Sequence, residues 1–117
     1  MLFRSPRLAT GFWVAAKLRQ VQNAGGYASI LVKGNDEAGS ITLVLRARDG
    51  TLKLARPAIM PDDDYSDRSF DWRDDKINDD ALNTLIAREL RFDRDQWFVE
   101  CECSEDQFVE IFNVRQA

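Results

Sequence analysis

Cys101 and Cys103 stand two residues apart, and thiols are the most nucleophilic and metal-avid groups this chain owns. On a strand, residues i and i+2 share a face, but the strand rise sets their α-carbons about 6.5 Å apart, a strained span for a disulfide. A structural zinc site needs four Cys or His ligands, and the sequence holds two cysteines and no histidine. Buried strand cysteines are the simpler reading. The lack of histidine also removes Ser-His-Asp and Cys-His pairs and the commonest general base near neutral pH.

Carboxylates are the other candidates. Asp62, Asp64 and Ser66 have the spacing of the first three ligands of a calcium loop, but Asp67 stands where that loop needs glycine and Arg73 where it needs glutamate. A solvated acidic loop accounts for the run, and a carboxylate-dependent metal enzyme built on Asp62 to Asp75 is the weakest functional reading. Glu100 and Glu102 alternate with apolar residues and are expected to face water. In Gly34-Asn35-Asp36-Glu37-Ala38-Gly39, glycine amides are suited to an anion, yet no Gly-Lys-Ser/Thr follows and two acids repel phosphate. It reads as a turn between strands.

The elements that position these groups follow from periodicity. Val14, Leu18 and Val21 recur at helical spacing after Thr10, read as an N-cap, and Gly25-Gly26 ends the helix. Phe12 and Trp13 are expected to pack on a sheet. Residues 28 to 56 read as a three-strand antiparallel meander. Asp49-Gly50 is taken as a two-residue type I′ turn, which pairs Leu45 with Leu54 and Arg46 with Lys53. That register makes one face apolar and puts Lys33, Arg46, Arg48 and Lys53, with Tyr27 and Leu31, on the other.

Beyond Pro57 and Pro61, Arg68 to Arg73 reads as a short edge strand guarded by charge. Asp79-Asp80 opens a second helix with Leu82, Leu85, Ile86 and Leu90 as its stripe. Trp97 to Cys103 is a strand, Ser104 to Gln107 a turn, and Phe108 to Val114 a final strand in the longest reading. The expected fold is therefore α+β: an antiparallel sheet of four to six strands with two helices packed on one face, in the order α-β-β-β-β-α-β(-β).

The 117 residues, 44% hydrophobic and 31% charged, fit one domain, 1–117, with a loose arm over residues 1–9 and an acidic loop over 57–67. No run approaches the ~18 apolar residues of a membrane span, and the first helix accounts for Leu8 to Ala16 better than a secretory signal does. Two cysteines point to a reducing compartment, so a cytoplasmic location is expected. The net charge of −4 is sorted along the chain, +6 over residues 1–60 and −10 over 61–117. The halves are expected to pack together and neutralise one another.

Phe12-Trp13-Val14, Ala24-Gly25, Lys33 to Gly39, Asp49-Gly50, Arg68 with Trp72, Arg91-Phe92-Asp93 and Trp97-Phe98-Val99-Glu100 occur in an order that resembles a family of small bacterial proteins. That family is described only as a domain of unknown function. The resemblance covers residues 10 to 103 and implies no activity, cofactor or catalytic residue. Arg94 and Gln96 depart from the pattern, which has proline and an apolar residue there.

These features point away from catalysis. The leading expectation is a small accessory protein that binds another protein or a second copy of itself, with no cofactor and no membrane contact. The expected contact residues are Lys33, Arg46, Arg48, Lys53, Tyr27 and Leu31. The alternative is a nucleic-acid-binding sheet face carried by Lys33, Arg46, Arg48 and Lys53.

Overall fold

A helix begins where the sequence places it. α1, Thr10–Asn23, turns Trp13, Val14 and Val21 inward and stops at Ala24 and Gly25, the latter at φ 90°, a conformation that favours glycine. Thr10 is not its cap. The Thr10 hydroxyl donates to the Gly39 carbonyl, and the first free amides, of Thr10 and Gly11, bond the carbonyls of Glu37 and Asp36 instead. The turn after the first strand thus serves as the backbone cap of α1.

In this computed structural model, residues 8–59 and 68–115 are described. Most of the proposed N-terminal arm, the acidic loop from residue 60 to 67 and the calcium-like spacing in it lie outside them. The described elements continue as β1 (Tyr27–Val32), β2 (Ile41–Arg46), β3 (Leu52–Pro57), β4 (Phe70–Ile77), α2 (Asp79–Phe92), β5 (Trp97–Glu102), α3 (Glu105–Phe112) and β6 (Val114–Arg115). They form an α+β fold with three helices and one six-stranded sheet in the order β1-β5-β2-β3-β4-β6.

The sheet is mixed, not antiparallel. β5 runs antiparallel to β1 and parallel to β2, so it separates the two strands expected to form a hairpin. The loop from Gly34 to Gly39 accordingly spans two inter-strand gaps and lies against the start of β5. A Cβ at either glycine would stand 2.1 Å from the Asp95 carbonyl oxygen, which is why both positions need glycine. Asn35 bonds Asp95 through its amide, and the Trp97 indole donates to the Asn35 carbonyl at 2.9 Å.

The expected register of the β2–β3 hairpin is off by one residue. Leu45 pairs with Lys53, Val44 with Leu54 and Arg46 with Leu52. A type I′ turn needs positive φ at both central residues, but of Asp49 and Gly50 only Gly50 has it, at 89°. The Gly50 amide bonds the Ala47 carbonyl and the Ala47 amide the Thr51 carbonyl, so the loop is three residues, Arg48-Asp49-Gly50, a type I turn closed by a left-handed glycine. Asp49 stabilises it by accepting from the Thr51 amide and hydroxyl.

A one-residue slip turns every β3 side chain to the opposite face. Leu52 and Leu54 join Val44 under Leu82, Leu85 and Ile86 of α2. Leu43, Leu45 and Ala55 join Trp13, Val21, Val99, Cys101, Phe108 and Phe112 under α1 and α3. The helices therefore cover both faces of the sheet, not one. β2 and β5, sheathed on both sides, have nearly continuous buried runs, as central strands of a covered sheet do.

α3 replaces the expected final strand. Ser104 accepts from the Gln107 amide at 3.1 Å as its N-cap, Glu105 and Asp106 favour its positive end, and Asn113 ends it at φ 55°. Phe108 and Phe112 then fall on one side, stacked against Trp72 and tilted against Trp13 respectively. Phe12, expected in the core, is 74% exposed.

Candidate interaction surface

The slipped register takes the expected basic face apart. Arg46 lies on the α2 side, where Nε and Nη2 donate to the two Glu100 oxygens at 3.0 Å each and Nη2 and Nη1 to Asp79 at 2.6 and 3.2 Å. Its side chain is 20% exposed and that of Glu100 13%, so this fork ties the first turn of α2 to the middle of the sheet. Arg46 holds the Asp79 carboxyl below the usual range, and the two carboxylates push the guanidinium up. Glu100, expected to face water, is instead the inner anchor of this bridge.

Lys53 lies on the other side of the sheet. Its ammonium sits 4.0 Å from the Trp72 ring centre and 3.1 Å from Glu105 at the start of α3. Arg48 stands exposed in the hairpin turn. Arg56 bonds Glu89 of α2 at 2.8 Å. Cations of the basic half thus pair with acids of the acidic half across both faces, as the charge sorting leads one to expect. β4 adds a pair within the acidic half, where Arg115 bonds Asp71 and lowers its carboxyl.

Tyr27, Leu31 and Lys33, the other three expected contact residues, stay together on or just beyond β1. That strand is the edge of the sheet and pairs only with β5 among the described residues. The sequence Tyr27-Ala28-Ser29-Ile30-Leu31-Val32 carries no charge, and Tyr27, Ile30 and Leu31 are 60%, 43% and 39% exposed. Next to it, α1 contributes exposed Phe12 and Ala15. Together with Gly11, Ile30, Lys33 and the edge of Trp97 they line an open groove of about 560 Å³, mostly apolar. A bulge at the Leu31 end shifts the pairing with β5 between Ile30 and Val32 and leaves Tyr27 to Ile30 regular.

The opposite edge is built differently. Among the described residues β6 covers only Phe70 and Asp71 of β4, and further along β4 the run Arg73-Asp74-Asp75-Lys76 is exposed throughout. Charges of both signs there discourage pairing with a foreign strand. The uncharged edge is the one with the apolar groove beside it.

The remaining chemistry is quiet. Cys101 is buried and Cys103 half-buried, both are free, and burial pushes both thiols up, away from the reactive thiolate. No cluster of three His, Cys, Asp or Glu side chains suited to a metal is found among the described residues. No helix among them is long and apolar enough to cross a membrane.

The sequence matches the family model described as "Protein of unknown function (DUF1491)" over residues 8–110. The chain belongs to the DUF1491 family. Its fold is similar to the solution structure of a protein from A. tumefaciens, with 34% identity, a TM-score of 0.80 and coverage of 95% of this chain and 97% of that one. It is also similar to a DUF1491 family protein from Caulobacter crescentus CB15. The crystal structure of that protein matches at 29% identity and TM-score 0.67 over 82% of this chain and 86% of that chain. Its NMR structure matches at 27% and 0.71 over 93% and 97%. No curated protein matches the chain.

The DUF1491 match takes in the whole of α1 and β1, so the groove and the uncharged edge lie inside the family domain, while β6 lies beyond it. Gln96 is buried and donates to the Glu89 and Asp93 carbonyls at the end of α2. The residues that sequence reasoning missed are Phe12 and Ile30. Their signal was available only after β1 was known to be an edge, because an apolar residue at strand or helix spacing reads as core until the neighbour is known to be missing.

Proposed function

We propose that this DUF1491 protein is a non-enzymatic accessory protein that binds another protein chain by strand addition at β1. The observation that carries the reading is the contrast between the two edges of the sheet. One is fenced by Arg73, Asp74, Asp75 and Lys76, and the other carries six uncharged residues with an apolar groove at its side. An added strand would satisfy the free amides and carbonyls of β1, and one apolar side chain of that strand would rest between Phe12 and Ile30. Tyr27 and Leu31 supply further exposed apolar surface along the same edge. Two free, inward-turned cysteines support a reducing compartment and hence the cytoplasm.

Ile30→Lys tests the reading. The side chain is already half in solvent, so the fold is expected to survive, while a lysine on the edge adds the kind of fence that β4 has. In affinity capture from native lysate, chains retained by the wild type are expected to be lost with Ile30→Lys and kept with Arg73→Ala. Retention of the same chains by Ile30→Lys, with an unchanged circular dichroism spectrum, would place the binding surface elsewhere.

A further inference from the structure

We infer that the occupant of the β1 edge is a second copy of this chain, paired antiparallel about a two-fold axis perpendicular to the sheet. This rests on the edge-binding reading above and names its partner. Such an axis keeps the α1 side of one copy beside the α1 side of the other and brings the Tyr27 end of each β1 against the Val32 end of its mate. Phe12, Ala15 and Ile30 of the two copies then line one shared apolar strip.

The charges on the α1 side complement one another in this arrangement. On the α1 side, the Val32 end carries Asp36 and Glu37 against a single lysine, Lys33, all three bordering the groove. The Tyr27 end carries Arg19, exposed and one turn beyond Ala15 on the same stripe of α1. On the α2 side the charges are mixed: Arg91 and Arg94, which border the hollow beside Val32, alternate with exposed Asp93 and Asp95, and Glu102, opposite Tyr27 on β5, shares its hollow with exposed Arg48. Antiparallel self-pairing therefore sets the acids of one copy against Arg19 of the other at both ends of the strand on the α1 side. A parallel pairing would turn one copy over, setting the α1 side of each against the α2 side of its mate and dividing the apolar strip between the two faces. The fenced β4 edge gives a third copy no strand to extend, so the assembly closes as a dimer rather than growing.

Sedimentation velocity on the purified chain, at protein concentrations up to about 1 mM, tests this. The expected result is a monomer–dimer equilibrium that Ile30→Lys abolishes. Arg19→Glu weakens it about tenfold at low salt, and adding Glu37→Arg to the same chain recovers most of that loss. Circular dichroism of each variant separates a lost contact from a lost fold, and the charge pair keeps the test open if Ile30→Lys fails to fold. A wild type that stays monomeric throughout overturns the self-pairing, and so does a dimer indifferent to both Ile30→Lys and the charge swap. If the monomeric protein still captures a different chain in an Ile30-dependent manner, the edge reading stands and only its occupant changes. If it captures none, both fall.

Discussion

Arg46 shows how far one side chain's role depends on register. Read as one of four cations on an open face, it is instead the centre of a three-residue bridge, with Glu100 below and Asp79 at the start of α2. Removing it strands a mostly buried Glu100 carboxylate, which is more damaging than the loss of the bond itself. Arg46→Met is expected to destabilise the fold by about 2 to 4 kcal/mol in urea titration. Arg46→Met with Glu100→Gln is expected to recover at least ~1 kcal/mol of this, because no charge is then left unpaired. Equal losses in the single and double variants would mean that Arg46 contributes by packing alone. The sequence announced the hairpin corner through Asp49-Gly50. It did not say whether that pair makes the whole loop or its last two residues, and the difference of one residue decides the face of Leu52, Lys53 and Leu54. The glycines of the 34–39 loop were legible as special, but their reason, the Asp95 carbonyl 2.1 Å from a Cβ, depends on a strand sixty residues away.

Among the elements, the periodic ones were readable. α1 and α2 have the extents that their apolar spacing predicts, and Asn78 caps α2 by accepting from the Ala81 amide at 2.8 Å. α3 was misread because Phe108 to Val114 contains β-prone residues, while the better signal stood just before it. Ser104 followed three residues later by Gln107, with acids between, is a helix-start pattern. Phe108, Ile111 and Phe112 then have helical spacing. Ser104→Ala removes the cap and is expected to cost about 1 kcal/mol in thermal or urea unfolding. No measurable loss would show that the Phe108 and Phe112 contacts hold α3 without its cap. The place of β5 between β1 and β2 was not legible from hairpin logic, since a six-residue loop suits either neighbouring strands or strands one position apart. The doubly buried runs of β2 and β5 were the available clue to central strands.

At the scale of the whole molecule, the sorted charge resolves into pairs that join the halves: Arg46 with Asp79 and Glu100, Lys53 with Glu105, and Arg56 with Glu89. With both faces of the sheet under helices, what the fold leaves open is its rim. Half of the expected contact residues, Tyr27, Leu31 and Lys33, fall there because β1 is the edge strand, whereas alternation along β1 alone reads the exposed Ile30 as core. Arg46, Arg48 and Lys53 do not, because their common face depended on a two-residue turn, and the three-residue loop Arg48-Asp49-Gly50 slips the register by one. The central claim is that β1 is the edge at which another polypeptide adds. A photo-crosslinking residue placed at position 31, compared with one at position 73 on the fenced edge, tests it most directly inside living cells. The account predicts a discrete crosslinked polypeptide from position 31 and none from position 73; equal crosslinking from both, or crosslinking from position 73 alone, would contradict it.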